Sequence, residues 1–518
     1  MNVFFRVDAS IAIGTGHVVR CKTLANALRQ RGAEVHFIIR ALQGHMGDLL
    51  AQDNFAVTFL SDEPPLIKSF SYGYSGCLGV DQTKDAAQCI SILKKTKCDW
   101  LIVDHYDLDR KWEEFLRPYA QKLMVIEDLP NRPHYCDLLV DQNYSSGDEQ
   151  RYQGWVSSYC QMLLGPRYAL LNPVYAKYRD TLQPRSGEVK QVLVYMGGSD
   201  NANVTGMVLS ALSASALAHL DVVVVIGVNN IHKNLVTQQS IERPNTHVCS
   251  SRSDLAELMI KADIAIGAGG VTTWERMCMG LPSVVISIAK NQIPACEALE
   301  HDGLIHYLGE ARNLTVANLL TEFVTFIFDH EKLRSISAKT QMYVDGKGVD
   351  RLIEALIQTK ITNLKLRNAT KSDALIYFNW ANDPVVRENA VEMSPIHMCS
   401  HLRWFDNRLN SPNSFLFILE AENLPVGQIR FDKENEEAEI DYSLDSLVRG
   451  RKWAKQLLKL GIDAMNNIQP IQLKATVKPQ NFASVATFIK LGFTEHSNDG
   501  GMRHFTLSPQ VPKNSSNK

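Results

Sequence analysis

The sequence predicts an α/β protein: two Rossmann-like halves in tandem, followed by a smaller mixed α/β domain. Three observations carry this. Short β-rich runs alternate with amphipathic helical ones through the first third, the pattern restarts after Leu164-Gly165-Pro166-Arg167-Tyr168, and a different order of elements opens near Thr362. A chain of 518 residues exceeds what one hydrophobic core organises, so separate domains are expected at 1–164, 165–360 and 363–508, with a disordered tail over 509–518.

In the first half Val3–Val7, His36–Ile39, Trp100–Asp104 and Leu123–Glu127 read as strands, with a helix over Val18–Gln30. In the second, Val192–Met196, Val222–Ile226, Ile264–Gly267 and Ser283–Ile286 take the same part, and a helix at Val349–Gln358 closes the unit. Such alternation gives parallel sheets, whose ligands bind beyond the carboxyl ends of the strands; two halves facing each other put the site in the cleft between them. The last domain reads as a strand, helices containing Trp380 and His401–Phe405, and antiparallel strands at Phe415–Glu420, Val426–Phe431 and Glu437–Leu444. A helix after Arg449, a strand near Leu473–Val477 and a helix from Phe482 complete it.

Composition narrows the function classes. Hydrophobic residues at 45% and charged residues at 21% are ordinary for a globular protein and argue against a disordered or membrane class. A net charge of -2 provides no basic footprint for nucleic acid, so an anionic ligand has to be held by a local site, which favours a small molecule. No run approaches the ~20 apolar residues of a membrane span. The ten cysteines form no CxxC pair and no secretory signal opens the chain, so reduced thiols and a cytoplasmic home are expected.

The first candidate site follows the first strand: Arg6, Asp8, then Gly14-Thr15-Gly16-His17 and Arg20. Glycines let the backbone turn and approach a ligand, and His17 stands at the mouth of the next helix, where an imidazole is suited to take a proton from water. On spacing alone His17 is equally readable as a capping or packing residue. Asp104, Asp128 and Asp137 sit at strand ends and read as loop anchors or helix caps in preference to acid/base groups. Asp107-Leu108-Asp109 has the spacing of a divalent-cation motif, but no further ligand cluster supports it, and no metal is expected.

The second candidate site is Ile264–Glu275, a strand running into Gly267-Ala268-Gly269-Gly270 and a helix from Thr272. Its amides suit a diphosphate, and Glu275 is placed to accept from ribose hydroxyls. Asn291 and Gln292 follow, and Gly197-Gly198-Ser199 forms a second small turn suited to phosphate or sugar. A close helix–sheet contact needing small residues is the alternative. The arrangement is similar to the donor half of GT-B glycosyltransferases.

Across nearly all of residues 1–360 the chain resembles the UDP-sugar hydrolases of pseudaminic acid biosynthesis. Beyond the first site, the resemblance rests on Asp104-His105-Tyr106, Trp112-Glu113, Asp128 to Asp137, Asp141-Gln142-Asn143, Leu164 to Tyr168 and Met196 to Asp200. It implies a GT-B-like pair of Rossmann-like domains with His17 catalytic. Asp8, Gly14, Gly16, Arg20, Gly197, Gly198, Ser199, Gly269, Gly270, Thr272, Glu275, Asn291 and Gln292 are the expected substrate-binding residues. The implied reaction is water attack on the anomeric carbon of UDP-2,4-diacetamido-2,4,6-trideoxy-β-L-altropyranose, with inversion and loss of UDP. It implies no cofactor for hydrolysis and a product used in flagellin or surface glycosylation.

Val426 to Phe431, Ala438 to Leu444, then Val448-Arg449-Gly450-Arg451-Lys452-Trp453-Ala454, Asn481 to Ser484 and Phe488 to Phe493, resemble the GNAT N-acetyltransferases over about residues 364–496. The resemblance implies acetyl-CoA as cosubstrate, held by Arg449, Gly450, Lys452, Ala454 and Asn481, with Glu439 as candidate base. The implied acceptor is the 4-amino group of the UDP-sugar precursor. Lys452 stands where the family loop usually has glycine, and Phe488 where many members have a tyrosine acid. A non-catalytic sugar-binding or oligomerisation module is the competing reading of this domain. For the front half the competitors are a GT-B glycosyltransferase and a nucleotide-sugar-binding protein; no nucleic-acid or membrane partner is expected.

Overall fold

The computed structural model describes residues 1–11, 13–60, 78–146, 150–250, 252, 254–357, 364–499 and 501–509. The boundary expected near Thr362 and the tail beyond Pro509 lie outside them. Two compact units emerge, a larger one holding Asn2–Ala27 and Val35–Leu352, and a smaller one running from Ile353 onward together with Met1 and Leu28–Glu34.

The larger unit holds two sheets. The first comprises β1 (Asn2–Val7), β2 (Glu34–Arg40), β3 (Ala56–Leu60), β4 (Trp100–Asp104), β5 (Lys122–Ile126), β6 (Leu138–Asp141) and β7 (Gln161–Leu164), in the order β3-β2-β1-β4-β5-β6-β7. The second comprises β8 (Gln191–Tyr195), β9 (Asp221–Ile226), β10 (Thr246–Ser250), β11 (Ile264–Ala268), β12 (Ser283–Ser287) and β13 (His306–Glu310), in the order β10-β9-β8-β11-β12-β13. Its ladders are all parallel. Alternate residues of β8, β9 and β11 feed opposite cores. Val192, Val194, Val222, Val224, Ile264 and Ile266 pack on one face, and Leu193, Val223, Val225 and Ala265 on the other. Burial on both faces explains the unbroken apolar runs that made these strands visible in the sequence.

The smaller unit carries β14 (Leu364–Asn368), β15 (Ser414–Ala421), β16 (Leu424–Glu434), β17 (Glu437–Leu444), β18 (Gln472–Val477), β19 (Thr494–Asp499) and β20 (Met502–Leu507), in the order β14-β15-β16-β17-β18-β20-β19. All neighbours run antiparallel except β17 and β18. That parallel pair is hydrogen-bonded only from Glu437–Glu439 to Gln472–Lys474. Beyond it the strands part. No helix among the described residues is long and apolar enough to cross a membrane.

Candidate functional site

Each sheet of the larger unit has one place where strand order reverses direction, between β1 and β4 and between β8 and β11. Loops leaving adjacent strands there diverge and open a crevice. His17, Arg20 and the Gly14–Gly16 turn lie at the first of these points and the Gly197–Ser199 and Gly269–Thr272 turns at the second, while Asn291 and Gln292 follow β12.

At the first, Ser10 closes the turn after β1: its carbonyl accepts from Gly14 N at 2.8 Å and its hydroxyl from Ile13 N at 2.9 Å. Gly14 sits at φ +84, a left-handed conformation that a side chain would strain, and the helix Gly16–Gln30 begins two residues later. His17 on that helix meets Asp104 at the end of β4, Nδ1 against Oδ1. Arg20, one turn on, spans Asp104 with Nε and Nη2 at 2.7 Å each and reaches Asp128 at 2.8 and 2.9 Å. Tyr106 donates to Asp128 at 2.6 Å, Asn143 donates to the same carboxylate at 2.8 Å, and the Tyr106 ring meets the His17 ring edge-on at 4.6 Å.

Burial alone would raise the Asp104 carboxyl, but the charges of Arg20 and His17 prevail and hold it well below the usual carboxylate range. An ionised carboxylate only accepts, so in the neutral imidazole Nδ1 carries the proton and Nε2 is left as the acceptor. This is the orientation that a base needs to take a proton from water. The expectation that Asp104 anchors a loop is thereby corrected, since it engages the side chains of His17 and Arg20. Asp137 is the anchor, bound to Arg117 and accepting from Leu123 N at 2.8 Å. Asp107 accepts from Leu78 N and Asp109 caps the helix Arg110–Leu116 through Lys111 N, each at 2.8 Å.

Two residues expected to touch substrate are turned inward instead. Asp8 is buried, paired with Arg6 at 2.7 Å and accepting from Arg40 N at 2.8 Å. Arg20 is likewise buried, its guanidinium occupied by two carboxylates. Asp8 ties the end of β1 to β2, and Arg20 holds its helix to the acids at the ends of β4 and β5.

At the second point the lining is mostly backbone. After β8, Gly197 takes φ +88, Gly198 O accepts from Asn229 N at 2.9 Å, and the buried Ser199 Oγ has no hydrogen-bond partner among the described residues. After β11, a side chain at Gly269 would run into Cys296 Sγ and Gln292, so only glycine permits this packing. Gln292 accepts from Ile288 N at 3.0 Å and holds the neighbouring loop. Thr272 opens a helix of only two turns, Thr272–Cys278, with its hydroxyl accepting from Arg276 at 3.3 Å.

Arg276 carries no signal in the sequence. It lies buried beneath the glycine turn, donating to Ala268 O at 2.9 Å and Thr273 Oγ1 at 3.0 Å, with no carboxylate in ion-pair range among the described residues. Burial pushes its guanidinium down to about 10, which still leaves it charged at neutral pH. A cation under a bed of amides favours a bound diphosphate. Glu275, partly buried and bonded to Tyr175, is pushed up by burial to about 7.

The two points face each other. Asn291 Nδ2 donates to the Tyr106 hydroxyl at 2.9 Å, any Cβ at Gly198 would strike Thr15, and one at Gly16 would contact Val271. Tyr106, Asp128 and Asn143 were not singled out as site residues. The legible signal was His17 and Arg20 three apart on one helix face, opposite acids at the ends of β4 and β5.

In the smaller unit, the gap between β17 and β18 opens a cavity of about 690 Å³. Arg449, Gly450, Ala454 and Asn481 line it. Asn481 also caps the helix Phe482–Lys490 through Ser484 N. Lys452 holds the left-handed φ of +64 that glycine usually supplies at such a turn, but its side chain is exposed and outside the lining. Glu439 is exposed and outside it too; strand geometry carries it two residues short, and Asp441, also exposed, is the carboxylate among the described lining residues.

The class is therefore defined: a GT-B-like two-lobed unit joined to a domain of GNAT acetyltransferase fold. Residues 192–338 match the glycosyltransferase family 28 C-terminal domain, and residues 363–494 the acetyltransferase (GNAT) domain. The chain is 23% identical over 517 residues to an uncharacterized protein of Methanocaldococcus jannaschii, covering 95% of this chain and 96% of that one. It is 23% identical over 361 residues to the spore coat polysaccharide biosynthesis protein SpsG of Bacillus subtilis, covering 69% and 98%. Over 295 residues it is 24% identical to the UDP-2,4-diacetamido-2,4,6-trideoxy-β-L-altropyranose hydrolase of Campylobacter jejuni, covering 56% and 93%.

Proposed function

We propose that the larger unit hydrolyses UDP-2,4-diacetamido-2,4,6-trideoxy-β-L-altropyranose to UDP and the free diacetamido sugar, a step of pseudaminic acid biosynthesis, in the cytoplasm. The observation that carries this is the His17–Asp104 pair at one strand-order reversal, facing the glycine turns at the other. The similarity to the C. jejuni hydrolase supports the choice of sugar.

In this reading the diphosphate lies on the amides of Gly197-Gly198 and Gly269-Gly270, with Ser199 and Thr272 as hydroxyl donors and Glu275 toward the ribose. Arg276 adds charge from below. UDP is a good leaving group, so stabilising its developing charge removes the need for a strong acid. His17 Nε2 takes a proton from water as the oxygen attacks the anomeric carbon, the sugar–oxygen bond breaks, and the electron pair leaves with UDP. Asp104 stabilises the imidazolium that forms. Asn291, tied to Tyr106, positions the sugar next to His17. The domains acting in this way are 1–164 and 165–360.

The domain over 363–508 transfers acetyl from acetyl-CoA to the 4-amino group of the UDP-sugar precursor, one step earlier in the same sequence of reactions. The parted strands β17 and β18 expose backbone groups to the amides of the coenzyme arm, and Gly450 and Ala454 border its diphosphate.

Turnover in H₂¹⁸O tests the hydrolase. The label is expected in the sugar and absent from UDP, with the anomeric configuration inverted at first release. Label in UDP would mean phosphorus–oxygen cleavage and would reject the mechanism. UDP release only upon adding a sugar acceptor would favour the glycosyltransferase reading, for which the match at residues 192–338 is the observation.

A further inference from the structure

Strand β17 presents two different chemistries to one cavity. Neighbouring residues on a strand point to opposite faces of its sheet. Asp441 pairs in register with Arg430, and its Oδ1 accepts from Gln428 Nε2 at 2.8 Å. Tyr442 points the other way, onto the helix Phe482–Lys490: its ring meets Phe488 edge-on at 5.8 Å, and its hydroxyl lies 3.0 Å from Ser484 Oγ. In an intact sheet these faces would be sealed from each other. Here β17 and β18 part after Glu439 and Lys474, and Asp441, Tyr442, Ser484 and Phe488 all line the same cavity.

Moving acetyl from a thioester to an amine needs two proton transfers on opposite sides of the carbonyl carbon. The amine nitrogen attacks that carbon, the C–N bond forms and the C–S bond breaks. The proton from nitrogen must reach a base, and the departing thiolate must receive one. Phe488 has no proton to give. Of the two phenols among the described lining residues, Tyr377 commits its hydroxyl hydrogen to Phe417 O at 3.2 Å. Tyr442 has a hydroxyl partner, which can either accept from it or donate to it. When its proton leaves, Ser484 turns to donate to the phenolate.

We propose that Tyr442, backed by Ser484, is the proton donor to the departing coenzyme A thiolate and that Asp441 takes the proton of the acceptor amine on the opposite side of β17. This rests on the acetyltransferase reading above. Burial raises the Tyr442 hydroxyl above its ordinary value and so keeps it protonated, as a donor requires, although the Ser484 hydrogen bond acts the other way.

The test uses the full chain with acetyl-CoA and the 4-amino UDP-sugar, following thiol release, with coenzyme A affinity measured by calorimetry. Tyr442→Phe keeps the ring that packs on Phe488 and removes one oxygen. It is expected to lower kcat about 100-fold, as loss of a general acid does. KM for acetyl-CoA and coenzyme A affinity should stay within about two-fold. Asp441→Asn should lower kcat about as much with unchanged coenzyme A affinity. Wild-type kcat in Tyr442→Phe overturns the donor assignment, and so does a parallel loss of coenzyme A affinity, which would mark a structural role. Wild-type kcat in Asp441→Asn overturns the amine-side assignment. If the unaltered chain acetylates nothing while binding coenzyme A, the acetyltransferase reading itself falls and the proposal falls with it.

Discussion

The two strand-order reversals of the larger unit have the same topology and opposite construction. At β1 and β4 the cleft is framed by charged side chains locked onto one another, His17 to Asp104 and Arg20 to Asp104 and Asp128. At β8 and β11 it is framed by glycine backbone, with a buried cation beneath. A reacting group needs a fixed orientation and tautomer, which a carboxylate–arginine lattice supplies. A diphosphate needs close approach and diffuse positive charge, which side chains would obstruct. Damage on the first side should therefore appear in kcat, and damage on the second in binding.

Asp104→Asn gives the largest expected effect among the supporting residues. The amide can donate to Nδ1 and favour the wrong tautomer, so kcat should fall at least 100-fold with KM little changed; steady-state UDP release checks this, and a change confined to KM would break the comparison. Gly269→Ala acts on the other side. The added methyl meets Cys296 Sγ and displaces the turn, so UDP affinity by calorimetry should drop about 10- to 100-fold, or roughly 1.4–2.8 kcal/mol. Asn291→Ala breaks the bond to Tyr106 that joins the lobes and should cost about 10-fold in kcat/KM, near the net value of one hydrogen bond.

A smaller effect concerns stability rather than turnover. His134 is buried between Glu113 and Glu127, at 2.7 and 3.0 Å, so both ring nitrogens donate. Burial opposes its charge, but the two carboxylates win and raise it from 6.5 to about 9. The folded state thus holds a proton that the unfolded chain releases, so this contribution is complete below about pH 6.5 and is lost as pH rises through about 9. Roughly 3 kcal/mol is at stake by linkage. Urea unfolding at pH 6 and pH 9 should show this loss in the unaltered chain and a flatter dependence in His134→Gln; equal slopes would remove the charged histidine from the account.

Legibility in the sequence followed burial and distance. Strands buried on both faces, such as Asp221–Ile226, were visible as unbroken apolar runs, while β10 and β13, at the edges of their sheet and half-exposed, carried no such pattern. Glycines at positive φ announced both turns after β1 and β8. The role of Asp104 was hidden because His17 lies 87 residues away, and only the folded sheet brings the two together. Arg276 was hidden for a related reason: nothing in its neighbours in the chain says that its side chain curls back beneath the turn. In the smaller unit the resemblance pointed to Glu439, and only the parting of β17 from β18 reveals that Asp441 reaches the cavity.

The most direct measurement is turnover of UDP-2,4-diacetamido-2,4,6-trideoxy-β-L-altropyranose by His17→Ala, set beside its affinity for UDP. Loss of about 10²- to 10⁴-fold in kcat with UDP affinity within about two-fold is the predicted result. Wild-type turnover by that variant would contradict the account at its centre.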